Sequence, residues 1–166
     1  MFAFYKRHNN NLYNKLVKLS RNIFFYKDLN LKDNFETRII LIFIHLSIIL
    51  IIFKKNRKKT FPQDIFDNIF LNIEYNMREL GHGDVSVNKK MKLLNKIFYN
   101  ILLKLEKKKM NKFSINNTII IEHLLIDISP SDELLSKIIE YYLSFYNYCF
   151  ELDDNSMIQG KINFKF

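Results

Sequence analysis

His82 and Asp84, two residues apart in Gly81-His82-Gly83-Asp84, are the nearest approach in this chain to an acid-base pair. A general base has to reach its proton at hydrogen-bond distance, whereas two glycines beside these residues are the ordinary signature of a turn between helices, and the turn is the reading taken. Glu122, His123 and Asp127 carry metal-ligand chemistry, but neighbours on a helix point about 100° apart, so the three converge poorly. His45 lies inside an apolar run and reads as a hydrogen-bonded core residue rather than a haem or metal ligand. Cys149 is the sole cysteine, which excludes a disulfide scaffold and a zinc ribbon and leaves a small core residue among aromatics. The sequence contains no glycine-rich phosphate loop and no nucleophile elbow. It therefore predicts no catalytic residue, no metal site and no cofactor.

Charged side chains at helical spacing are the remaining polar signal. Glu74 and Arg78 are i, i+4 partners and Asp67 is i, i+7 from Glu74, so the three share a face; Arg38 and His45 are spaced likewise. Two readings stand: intrahelical pairing worth a few tenths of a kcal/mol, or a polar seam that holds helices in register.

The elements that must position these residues read as helices. In 166 residues there are 3 Gly and 2 Pro, too few for the tight turns of barrels and sandwiches. One domain of this length buries about 70% of its unfolded surface, enough for a core without staples. The first 30 residues have no small-residue cleavage site after an apolar stretch, so they are not a secretory signal. They read instead as a basic amphipathic helix belonging to the fold, with Leu12, Leu16, Leu19 and Ile23 on its apolar side. Residues 39–53 are free of charge, yet at 1.5 Å per residue they reach about 22 Å of a roughly 30 Å bilayer core. A buried central helix over 34–57 is favoured, with a short or interfacial membrane segment as the alternative.

Pro62 opens a helix whose stripe runs from Ile65 to Leu80 and stops at Gly81, the natural left-handed cap; Asp84 or Ser86 starts its antiparallel partner, completing a hairpin over 62–108. Residues 115–128 are β-branched enough for a strand and spaced well enough for a helix. Ser131 opens a last helix through Leu134, Leu135, Ile138, Ile139, Tyr142, Leu143, Tyr146 and Phe150. The prediction is an all-α single domain over 1–166, a bundle of about five to seven helices around the apolar one, with 115–152 as the C-terminal helices.

The charge is uneven. Lys plus Arg number 26 against 17 acids, and residues 1–112 hold 23 of the basic groups and 9 of the acidic ones. An Ile, Lys, Asn, Phe and Tyr bias accounts for part of the total. The distribution fits either a surface facing phospholipid or ribosomal RNA, or a solvated lysine-rich face tied to its own acidic tail.

At the residues just named the sequence resembles the ubiquinol-cytochrome c chaperone family, the assembly factors of respiratory complex III. Leu12-Tyr13 and Phe25-Tyr26-Lys27-Asp28-Leu29 resemble its opening, and Arg38 and His45 keep the spacing of its next block. The strongest likeness is Phe66-Asp67, Asn72 with Glu74, then Met77-Arg78-Glu79-Leu80-Gly81-His82-Gly83-Asp84, Lys89-Lys90 and Phe98-Tyr99-Asn100. Gly160 to Phe164 is similar to its closing motif.

The resemblance implies a non-enzymatic chaperone that binds newly made cytochrome b at the membrane and holds it for haem insertion and assembly. By position it assigns client-binding or seam roles to Arg38 and His45, to Asp67, Glu74, Arg78 and Glu79, to Gly81, Gly83 and Asp84, and to Phe98 and Tyr99. Lys54, Lys55, Arg57, Lys58 and Lys59, with Lys89, Lys90 and Lys92, are expected to form a patch facing the membrane or ribosome. Expected partners are cytochrome b, an anionic membrane surface, the ribosome exit region and a small partner subunit, with no DNA. The expected place is the cytoplasmic side of a bacterial inner membrane, or the matrix side in a mitochondrion. Two other classes stay open: a basic RNA- or ribosome-binding module without this client, and a small integral membrane protein spanning through 39–53.

Overall fold

The computed structural model describes residues 10–106 and 113–166, and every regular element among them is helical. In chain order these are α1 Asn11–Ser20, α2 Ile23–Lys27, α3 Phe35–Ile51 with a wider π-helical continuation Ile52–Arg57, α4 Gln63–Glu79, α5 Asp84–Glu106, α6 Asn117–His123, α7 Asp132–Glu151 and α8 Asp154–Ile158. Residues 1–9 of the expected amino-terminal helix, and 107 and 108 of the expected hairpin, lie outside the described residues.

α3 is the axis of the bundle. Its start is fixed by Asn34, whose side chain accepts from the Thr37 amide at 2.9 Å, with Glu36 in the first turn. From Ile39 to Ile49 every side chain is buried, because α1, α5 and α7 all pack on it. A helix apolar on every side needs that enclosure. The helical run Phe35–Arg57 is 23 residues, longer than the charge-free stretch alone suggests, and its most apolar window of 18 residues has a mean hydropathy of 2.2, so by length and composition it matches a membrane span. Its place inside the bundle is given by burial: 72% of its most apolar window is covered by the rest of the chain.

Two expectations about flanking helices are corrected. The amino-terminal helix is not continuous: Asn22 accepts from the Phe24 amide at 3.0 Å and starts a new helix, so Leu12, Leu16 and Leu19 are buried while Ile23 is 59% exposed. On α7 the buried face is Ile138, Tyr141, Tyr142, Phe145 and Cys149, rotated from the expected stripe, and Phe150 is left partly exposed. The strand reading of 115–128 gives way to α6, which Asn116 caps by accepting from the Thr118 amide. Ser131 caps α7 as expected, accepting from Leu134 at 3.1 Å.

The chain closes on its own start. Gly160 has φ +67°, and a Cβ there would lie 2.5 Å from the Asn11 carbonyl oxygen. Only glycine permits that approach. The turn carries the tail back so that Ile162 is buried and the Phe164 ring meets Tyr141, Phe145 and Tyr148.

Candidate functional site

The turn between α4 and α5 is built by its glycine. Gly81 has φ +92°, its amide donates to Arg78, and the His82 amide reaches back to Met77, so two of the last carbonyls of α4 are satisfied. Across this turn Arg78 donates to Glu74 at 2.9 Å and also to Asp84. The Glu74 carboxylate first, and Asp84 after it, raise the pKa of the guanidinium. The clamp bridges the last turn of α4 to the first residue of α5. Asp84 is thereby engaged by Arg78, while the His82 Nε2 accepts from Lys90 at 3.2 Å. His82 and Asp84 therefore have separate partners.

The other predicted site residues fall into separate places. Asp67 is exposed and accepts from Gln63 at 2.7 Å, apart from the Arg78 clamp. Arg38 is held by Asp33, with Nε at 2.8 Å, and braces the entry to α3. Glu79 is exposed at the end of α4, where its charge helps, after burial, to push the Tyr13 hydroxyl up to about 12. Gly83 has open space where a Cβ would be. Phe98 is buried in a ring cluster with Phe43, Phe66 and Phe70, whereas Tyr99 beside it is 53% exposed. The structure thus brings Glu74, Arg78 and Asp84 together, and leaves Arg38, His45 and Asp67 each with a different neighbour.

His45 is fully buried on α3, where Nδ1–H donates to the Leu41 carbonyl at 2.6 Å and Nε2 accepts from the Tyr141 hydroxyl at 3.0 Å. Burial pushes its pKa down to about 4, so the ring is neutral and ties α3 to α7. Burial likewise raises the Cys149 thiol to about 12, which makes it inert at neutral pH. The groups weighed as metal ligands diverge: Glu122 accepts from Lys104, His123 from Asn100 at 3.4 Å, and Asp127 from Lys32 at 2.6 Å. Among the described residues no His, Cys, Asp and Glu cluster could hold a metal.

The basic residues lie on two stretches of the chain. Lys54, Lys55, Arg57, Lys58 and Lys59 follow the end of α3, where Lys58 at φ +52° stops the helix. Arg57 turns toward the C-terminal segment: it donates to the carbonyls of Phe150 at 2.7 Å and Leu152 at 2.8 Å and meets Asp154 at 3.1 Å. Lys59 pairs with the same aspartate at 2.7 Å. Lys89 and Lys92 stand exposed on α5, and Lys90 lies half-buried beside His82.

Next to the clamp lies a feature that the sequence does not announce. A groove of about 720 Å³ runs between the segment entering α3, the middle of α5 and the loop after α6. Leu31, Phe35, Ile40, Leu94 and Ile97 line it, Met77 connects it to the end of α4, and Leu93 and Ile126 are 58% and 74% exposed beside it. Lys32 and Asp127 form an ion pair between two of its lining segments. The one available signal was Leu93, an apolar residue off the core stripe of α5; the other segments are distant in sequence. The groove's lining is mainly apolar, the character of a surface suited to apolar groups.

The model of the family described as ubiquinol-cytochrome C chaperone matches residues 27–166. The crystal structure of the Cbp3 homolog from Brucella abortus is similar in fold, with a TM-score of 0.69 at 21% identity, covering 94% of this chain and 87% of that one. No curated protein matches the chain. Because the family match runs from the end of α2 to the closing tail, it takes in α3, the Arg78 turn and the groove together, and the chain belongs to the ubiquinol-cytochrome c chaperone family.

Proposed function

We propose that this chaperone acts in the assembly of respiratory complex III, without catalysis, by holding an apolar segment of newly made cytochrome b in the groove between α3 and α5 until haem insertion and assembly proceed. The observation that carries the reading is the groove itself: about 720 Å³ of mainly apolar lining, with Leu93 and Ile126 left in water. Exposed apolar side chains cost solubility unless they meet a partner, and a groove of this kind takes the anchors of one face of an apolar helix. A membrane-protein client made of such helices supplies those anchors. The place of work is then where the client enters the bilayer, the cytoplasmic face of a bacterial inner membrane or the matrix face in a mitochondrion.

Affinity capture from solubilised membranes of translating cells, read by mass spectrometry and a haem spectrum, tests this. Wild type is expected to enrich cytochrome b over other membrane proteins. Leu93→Asp and Ile126→Asp, both at exposed positions, are expected to lose that enrichment while unfolding at the wild-type temperature. Equal capture by all three proteins would refute the groove as the client site. Recovery of ribosomal RNA and ribosomal proteins alone would replace the reading with a basic ribosome-binding module.

A further inference from the structure

On the solvent side of α5, Val85, Lys89, Lys92, Lys96, Tyr99 and Leu103 are all exposed. At 100° per residue these six fall within about 40° of one line, and at 1.5 Å per residue the line is about 27 Å long. None of the six is acidic. Apolar residues stand at its two ends and three ammonium groups fill the middle, so the stripe is neither a solvated lysine face nor part of the core. At Tyr99 it meets a second recess of about 430 Å³, lined by Phe61, Phe66 and Leu102 and also by Lys54 and Lys59.

We propose that this face of α5 docks on the anionic surface of a lipid bilayer, with Lys89, Lys92 and Lys96 against headgroup phosphates and Val85, Tyr99 and Leu103 in the boundary between headgroups and acyl chains. Charge complementarity selects an anionic partner. The apolar residues select lipid over a nucleic-acid backbone, because a helix lying in a bilayer interface buries such side chains while its lysines stay at headgroup level. The recess beside Tyr99 continues the apolar side of the stripe through Phe61, Phe66 and Leu102. This surface shares with the proposed function only its place beside a bilayer. Its residues, apart from the groove, do not rely on the identity of the client.

The test is partition of the full chain into vesicles of phosphatidylcholine alone or with phosphatidylglycerol. Each lysine near an anionic surface contributes about fivefold to partition, so the triple variant Lys89→Gln, Lys92→Gln, Lys96→Gln is expected to bind about a hundredfold more weakly. Removal of the same charge from exposed Lys18, Lys27 and Lys161 is expected to have little effect. The chain has no tryptophan, so Leu103→Trp gives a single reporter whose emission should shift to the blue on anionic vesicles. Failure of wild type to bind them, equal losses in the two triple variants, or an unshifted reporter would overturn the proposal. So would salt-sensitive binding to homopolymeric RNA in the absence of vesicle binding. Cytochrome b capture in detergent, measured on the same variants, separates the readings: a lipid defect with capture intact leaves the groove standing, and lost capture with lipid binding intact leaves the docking surface standing.

Discussion

Replacing each of two left-handed glycines by alanine separates backbone strain from steric collision. At Gly81, φ is +92° and nothing lies within 4 Å of the position a Cβ would take. Alanine there bears only the cost of a left-handed conformation, about 1–2 kcal/mol. At Gly160, φ is +67° and the added carbon would lie 2.5 Å from the Asn11 carbonyl oxygen and 2.8 Å from its carbon. Both are backbone atoms, so relief requires the tail or the start of α1 to move. Overpacking of that kind adds about 1–3 kcal/mol to the strain, for a total of about 3.5 kcal/mol.

A domain of this size loses about 2–4 °C of Tm for each kcal/mol. Gly81→Ala is thus expected to melt about 3–6 °C below wild type and Gly160→Ala about 7–14 °C below, by calorimetry or by circular dichroism. Urea denaturation should rank them in the same order with unchanged slopes. Gly83→Ala, where the φ is not left-handed and space is open, serves as the control and should fall within about 0.5 kcal/mol of wild type. Equal melting temperatures for Gly81→Ala and Gly160→Ala would refute the claim that the tail is pinned against Asn11.

Further outcomes follow from polar contacts between elements. His45 is held neutral with its pKa lowered to about 4, so the unfolded chain binds the extra proton: its contribution is present above about pH 6.5 and is lost as pH falls toward 4. Between about pH 7 and about pH 5 this removes about 2 kcal/mol, and His45→Gln should flatten that part of the urea-derived stability profile. Tyr141→Phe strands the buried Nε2 acceptor of His45, for a loss of about 1–3 kcal/mol in the same assay. Arg57→Ala removes the donor to the Phe150 and Leu152 carbonyls, which water can reach, and should cost about 1 kcal/mol; Arg57→Lys should restore little, because one ammonium does not match the forked contact. Arg78→Ala should reduce client capture by removing the bridge between α4 and α5; unchanged capture with unchanged Tm would remove the clamp from the functional account.

The parts of the fold legible in the sequence are those decided locally. Gly81 stops α4 and Ser131 starts α7 because a left-handed cap and a hydroxyl acceptor act within a few residues. The central helix was legible from an apolar run with no polar side, although the π-helical geometry of its last turns was not. The face of α7 was misplaced because aromatic residues surround the helix and periodicity alone does not choose among them; the choice is made by His45, 96 residues from Tyr141. Arg57 reads as one of a run of cations, and its C-terminal acceptors are more than 90 residues away. The groove was least legible of all, since it exists only where the entry to α3, α5 and the loop after α6 meet.

The enclosure of α3 also sets a problem of timing for synthesis. The helix leaves the ribosome complete at Arg57, yet α7, which covers one of its sides, begins only at Asp132. At about 5–20 residues per second the intervening stretch takes roughly 4–15 seconds to make. Throughout that interval a helix whose length and apolar window match a bilayer span has a flank that α7 does not yet cover. Of the polar pair within it, His45 gains its Tyr141 partner only with α7 and Ser47 Oγ finds no protein partner, so until then these two side chains raise the cost of a place in lipid. In the finished fold His45 joins two helices; during synthesis the same ring makes burial of α3 in lipid more costly.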